Sequence, residues 1–95
     1  MGTYKLSKDA EDDLKRLYRH DAQQFGIDQT DSYFDALFEQ FEQLVAEPLR
    51  YRAVDEIRPA YRRSVYGAHS IYYRINQDRV EIMRILGREN PDNLI

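Results

Sequence analysis

Residues 61–88, YRRSVYGAHSIYYRINQDRVEIMRILGR, decide the fold. Apolar and polar residues alternate through His69–Ile75 and again through Arg79–Leu86, which is the signature of β-strands. A third strand is expected at Tyr61–Tyr66. Gly67-Ala68 and Asn76-Gln77-Asp78 separate the three. Connections this short join antiparallel neighbours, so the stretch reads as a meander. On the middle strand His69, Ile71, Tyr73 and Ile75 share one face, and Ser70, Tyr72 and Arg74 the other. On the last strand Val80, Ile82, Arg84 and Leu86 are expected on one face, and Glu81, Met83 and Ile85 on the other. Both of its faces are mostly apolar, so it should be central and covered twice.

Upstream lies the means of covering one face. Thr3–Leu6 reads as a short strand, and Ser7 as the N-cap of a first helix. Asp9, Glu11, Asp12 and Asp13 sit where carboxylates favour the positive end of the helix dipole. Ala10, Leu14, Leu17, Tyr18 and Phe25 form an apolar stripe ending at Gly26. Asp28 is the expected N-cap of a second helix, Gln29–Glu47, stopped by Pro48. A three-residue connection makes the helices antiparallel neighbours. The second helix has a wide apolar face: Tyr33, Phe34, Leu37, Phe38, Phe41, Leu44 and Val45. That width is best explained by packing on the sheet; the alternative is an aromatic edge left open as a partner groove.

Pro48–Pro59 carries no sustained period and reads as a long loop, pinned by Leu49, Tyr51, Val54 and Ile57 or functional. The tail Glu89–Ile95 is expected to be irregular. Two helices cover one face of a sheet. The other face must be covered by the loop, the tail or another protein. The fold class is therefore α+β: an N-terminal strand, an antiparallel helical hairpin, then a three-stranded antiparallel meander forming one sheet. Ninety-five residues make one domain, 1–95, of modest stability because so short a chain buries a limited share of its surface.

Composition excludes several functions. With no cysteine there are no disulfides and no thiolate metal sites. The N-terminus has no apolar signal region, no run is long enough to span a bilayer, and Leu6 stands where a myristoylation signal needs Ser or Thr. A cytoplasmic location without membrane contact is expected. Fourteen basic against seventeen acidic residues give a net charge of −3, unlike proteins that hold nucleic acid chiefly by its phosphates. From Arg58 onward, however, seven arginines face four acidic side chains. The sheet half is locally basic, which suits a protein partner better than a long phosphate backbone.

Catalytic and cofactor motifs are missing. His20 and His69 lie on different elements, without metal-ligand spacing. The glycines are isolated, so no phosphate loop forms. His69 and Ser70 point to opposite strand faces and cannot act as a base–nucleophile pair. No cofactor, no metal and no catalytic residue is expected. Arg84 interrupts an apolar strand face. It either snorkels at the sheet rim, or pairs to Glu81 or Glu56, or anchors a binding site.

Leu6-Ser7, Ala10, Asp13-Leu14, Phe25-Gly26, Tyr33, Leu37, Phe41, Leu44, Pro48, Ile57-Arg58, Tyr61-Arg62, His69-Ser70-Ile71-Tyr72-Tyr73 and Ile82-Met83-Arg84-Ile85-Leu86 together give a pattern that resembles the ParE family of bacterial toxins, in the RelE/ParE superfamily. The order and spacing hold over nearly the whole chain. One departure is Gly87, where many relatives carry a histidine after R-I-L. The resemblance implies the toxin half of a type II toxin–antitoxin pair, acting on DNA gyrase and not as an enzyme. It implies a ParD-like antitoxin whose flexible segment wraps the toxin. On this reading Arg58, Tyr61, Arg62, Arg84 and Arg88 face the target. Tyr33, Phe34, Leu37, Phe38, Phe41 and Val45 receive the antitoxin. Sequence-specific nucleic-acid binding by this chain alone is not expected. The alternatives are a RelE-like ribosome-dependent mRNA endoribonuclease and a non-toxic, antitoxin-bound regulatory module. Gly87-Arg88-Glu89 resembles the arginine-bearing segment of such nucleases, but no tyrosine, histidine or lysine follows Arg88.

Overall fold

A computed structural model describes residues 3–87; Arg88 and the tail expectation for Glu89–Ile95 lie outside them. Strand β1 (Thr3–Leu6) leads into helix α1 (Lys8–Phe25) and helix α2 (Ile27–Ala46), followed by β2 (Arg52–Ala53), β3 (Arg62–Tyr66), β4 (His69–Asn76) and β5 (Arg79–Leu86). The five strands form one sheet in the order β1-β5-β4-β3-β2. The meander β3-β4-β5 is antiparallel as expected. β1 pairs parallel to β5, which places the last strand inside the sheet. The helical hairpin packs on one face, where Leu14, Leu17, Phe34, Leu37, Phe41 and Leu44 meet Ile71, Tyr73, Val80, Ile82 and Ile85.

Three expectations are corrected. α2 starts at Ile27, not Gln29, because Gly26 ends one helix and begins the next at φ 84. Its N–H reaches Ala22 O and its carbonyl accepts from Thr30 N. Asp28 is thus inside the first turn and caps nothing, although its charge still suits the helix dipole. The 48–59 stretch is not wholly loop: Arg52 and Ala53 pair with Arg63 and Arg62 at the sheet edge.

The third correction concerns β5. Tyr72 pairs with Arg84 and Tyr73 with Ile82, so Met83 is an extra, bulged residue. A bulge breaks strict alternation. Ile82 and Ile85 therefore both belong to the helix-side core, and Leu86 joins Val54, Tyr61 and Tyr72 on the opposite side, with Ile57 and Met83 beside them. This second cluster answers what covers the far face: the 54–61 segment folds over it. Among the described residues no helix is long and apolar enough to cross a membrane.

The bulge is held by the start of α1. Ser7 N donates to Ile82 O (2.9 Å), and Ser7 Oγ donates to Met83 O (2.8 Å) while accepting from Ala10 N (3.0 Å). Two turns of backbone later, Asp13 Oδ2 accepts from Ile85 N at 3.0 Å. β1 has ended by this point, so α1 supplies the partners that the β5 edge would otherwise lack.

Candidate functional site

The 55–61 turn is cross-bonded within itself. Ile57 N and Arg58 N both donate to Val54 O, Tyr61 N donates to Arg58 O, and Val54 N donates to Tyr61 O. Asp55 Oδ1 accepts from Ala60 N at 2.8 Å. These bonds hold Ala60 at φ 69, a left-handed conformation that costs a non-glycine residue about 1 kcal/mol. The turn presents Arg58 over the buried Tyr61 ring, Cζ 5.7 Å from its centroid. A guanidinium over a tyrosine face gains cation–π attraction and loses mobility.

A second stack spans β3 and β4. Arg63 is directly opposite Tyr72 in the β3–β4 register, with Cζ 5.9 Å from the ring centroid. Its Nε donates to Ser70 Oγ at 3.1 Å. Tyr61 and Tyr72 belong to one buried cluster, so the two guanidinium groups ride on rings of the same loop-side cluster. Among the described residues neither Arg58 nor Arg63 has a carboxylate partner. Val65, two residues along the same strand face as Arg63, is 63% exposed.

The other arginines expected in the target surface stand elsewhere. Arg62 Nη1 donates to Tyr51 O at 2.7 Å, with its side chain on the opposite face of β3 from Arg63. Arg84 is paired neither with Glu81, which takes Arg74 at 2.6 Å, nor with Glu56, which takes Arg52 at 3.0 Å. It reaches the buried Asp13 on α1, Nε to Oδ2 at 2.8 Å and Nη2 to Oδ1 at 3.0 Å. The structure therefore brings Arg58 and Tyr61 together, while Arg62 is bonded to the Tyr51 carbonyl and Arg84 is held by Asp13. The Arg74–Glu81 hydrogen bond holds the Glu81 carboxyl below its ordinary range.

The expected antitoxin groove needs correction as well. Phe34, Leu37 and Phe41 are buried in the core, because the sheet below and α1 beside them take up the wide apolar face. Tyr33 and Val45 are half-buried, and Phe38 is 40% exposed with its ring edge-on to Phe41. Phe38 is what remains of that stripe as open surface.

Near the tip of the hairpin a cleft of about 780 Å³ runs between the helices and the β3–β4 turn, with Arg16, Asp21, Phe25, Thr30, Tyr33 and His69 among its walls. His69 is buried, with Nδ1 2.7 Å from Tyr33 Oη and Nε2 3.9 Å from Asp21 Oδ2. Tyr33 also donates to Tyr66 O at 2.9 Å. Burial and, secondarily, the Asp21 charge raise its hydroxyl pKa, against a backbone bond from Ala68 that lowers it. Ser70 faces away and holds Arg63. Among the described residues no three His, Asp or Glu side chains gather as a metal-ligand set.

A hairpin of helices on one face of a single five-stranded sheet places the chain among small α+β domains of one recurrent design. A solved chain described as "Chromosomal ParDE TA system from P. aeruginosa" has this fold, with a TM-score of 0.77 and 22% identity over 94% of this chain and 97% of that one. Sequence carries the comparison further. Residues 4–91 match the family described as "ParE toxin of type II toxin-antitoxin system, parDE". Toxin ParE1 of Mycobacterium tuberculosis is 32% identical over 84 residues, covering 87% of this chain and 86% of the relative. Toxin ParE1 of Caulobacter vibrioides is 33% identical over 86 residues, covering 90% and 88%. The chain belongs to the ParE toxin family of type II toxin–antitoxin systems.

Sequence reasoning missed Arg63, Ser70 and Tyr72 as a unit. The signal was present: a two-residue turn at Gly67-Ala68 sets Tyr66 opposite His69, and counting back puts Arg63 opposite Tyr72.

Proposed function

We propose that this toxin acts by binding DNA gyrase, without catalysing a reaction, and that a ParD-like antitoxin neutralises it in the cytoplasm. The observation that carries the reading is the family match over residues 4–91. Binding in place of catalysis is supported by how the chemically capable side chains are engaged. His69 is buried against Tyr33, and Ser70 Oγ accepts from Arg63. The target surface is the loop-side face with Arg58 and Tyr61. Arg88 is a further contributor, by its place in the sequence.

The antitoxin is proposed to dock along the outer side of α2, with Phe38 as its apolar anchor and Tyr33 and Val45 at the flanks. Amphipathic segments bind in this way by inserting anchors at helical spacing. Phe34, Leu37 and Phe41 then support the surface from beneath.

The test is induced expression with and without the neighbouring reading frame, followed by supercoiling assays on purified gyrase. Inhibited supercoiling, relieved by the antitoxin, is expected. Growth arrest with intact supercoiling and cleaved mRNA would overturn the reading in favour of a ribosome-dependent endoribonuclease. Phe38→Glu should weaken antitoxin capture at least about tenfold while leaving the circular-dichroism spectrum unchanged.

A further inference from the structure

We propose that Arg58 and Arg63, held over Tyr61 and Tyr72, form a two-pronged docking surface for an acidic segment of a protein partner. The proposal rests on the reading that this toxin works by binding a protein target, and it assigns the chemistry of the surface that does so.

The arginines of this fold differ in what they meet. Arg74, Arg84 and Arg52 each meet a carboxylate, and Arg62 a backbone carbonyl. Arg58 and Arg63 meet none among the described residues, yet both are held in place. The Nε bond to Ser70 orients the Arg63 plane and leaves its two terminal nitrogens available as a fork. Such a fork matches a carboxylate with two parallel bonds. Arg58 is fixed instead from its backbone, by the hydrogen-bonded turn and the left-handed Ala60. Strain kept in a surface turn is frequently tied to presenting a group for function. Because the Arg63 plane and the Arg58 backbone are set before binding, less conformational entropy is lost on contact.

A nearby apolar residue and the charge of the helical layer favour protein over nucleic acid. Val65 lies exposed on the strand face that carries Arg63. An apolar residue beside paired arginines suits a protein interface with an anchor and a charged rim. The helical layer opposes a long polyanion: Lys8–Ala46 holds ten acidic and four basic side chains. A short acidic segment needs only the local pair. β2 pairs only Arg62 and Arg63 of β3, so the edge beyond them is open for such a segment to lie along.

The test uses the full chain with two probes, a poly-glutamate peptide and a short DNA duplex. Arg58→Gln/Arg63→Gln is compared with Arg19→Gln/Arg50→Gln, which changes net charge equally on other surfaces. The expected result is salt-sensitive binding of the peptide by the wild type. The Arg58/Arg63 variant should lose about tenfold or more, and the control about twofold or less. Arg58→Lys/Arg63→Lys, which keeps charge but not the planar fork, should fall between. If the glutamine variant fails to fold by circular dichroism, the lysine variant decides alone. Equal losses in both glutamine variants, tighter binding of the duplex than of the peptide, or no peptide binding would each overturn the proposal. Gyrase supercoiling is assayed in parallel. Peptide binding through these arginines with supercoiling untouched would keep the surface and remove gyrase as its target.

Discussion

Asp13 accepts from two nitrogens of Arg84, 71 residues away in the chain, and from the backbone N–H of the next residue, Ile85. One carboxylate thereby ties α1 to the bulged end of β5. Asp13→Ala removes all three bonds and leaves a buried N–H and a side chain only 17% exposed without the oxygens they meet. Breaking such a pair from one side costs about 3 kcal/mol. Arg84→Ala leaves Asp13 its bond to Ile85 and the Arg16 contact at 3.4 Å, so its expected cost is smaller, about 2 kcal/mol. Urea unfolding of both single variants and the double should give a double-variant loss below the sum of the singles. Equal and additive losses would mean that the two residues do not act as a unit. The order of effects also changes how Arg84 is tested: stability must be measured before any loss of toxicity is assigned to target contact.

Ser7 has two duties that different substitutions separate. As acceptor it caps Ala10 N; as donor it satisfies Met83 O. Ser7→Ala should cost about 2 kcal/mol, roughly half from the cap and half from the carbonyl. Ser7→Thr should keep both. Ser7→Asp keeps a capping acceptor but sets a carboxylate against the Met83 carbonyl, so it should recover less than threonine. Thermal unfolding of the three variants reads this directly, and a fully restored Ser7→Asp would remove the Met83 bond from the explanation.

Much of this architecture was legible in the sequence, because periodicity reports burial. The faces of β4 follow strict alternation, and the helix-side residues Ile71 and Tyr73 are core. Ser7 caps α1 as its residue type predicts. The bulge at Met83 was not legible. Nothing in V-E-I-M-R-I-L marks an extra residue, since every side chain around it is large and the deviation arises from partners on α1. The pairing of Arg84 with Asp13 depends on that bulge and was hidden with it. The apolar width of α2 was read correctly as sheet packing, but the same residues could not also remain an open groove. Arg58 over Tyr61 requires the conformation of the 55–61 turn, which no local periodicity encodes.

Gly67 is a position where substitution meets two obstacles. Its φ is 57, and a Cβ there would stand 2.6 Å from Tyr33 Oη and 2.9 Å from Tyr33 Cε1. Tyr33 cannot swing away freely, because it is bonded to Tyr66 O and His69. Gly67→Ala should cost about 2–3 kcal/mol, of which the left-handed backbone accounts for about 1. In a Tyr33→Ala background the collision disappears, and the same substitution should cost only the backbone part. An unchanged cost in that background would show that Tyr33 is not the obstacle.

Tyr73 gives the fold an alkaline limit. Its ring is wholly buried and its hydroxyl donates to Pro48 O at 2.6 Å. Burial pushes its pKa up to about 12, although the nearby Arg62 charge works in the opposite direction. The unfolded chain ionises this group near the ordinary tyrosine value of about 10. The folded state therefore holds the proton where the unfolded state releases it. The stabilisation is complete below about pH 10 and is lost as pH rises toward 12, with a magnitude on the order of 2 kcal/mol. Tyr4 and Tyr33 are raised as well, each chiefly by burial, and add to the same slope. Tyr73→Phe should cost about 1 kcal/mol at neutral pH, through the lost donor to Pro48 O, and should flatten the alkaline decline. Urea midpoints measured from about pH 9 to pH 12 compare the two proteins. A decline equally steep in Tyr73→Phe would place the alkaline sensitivity in other groups.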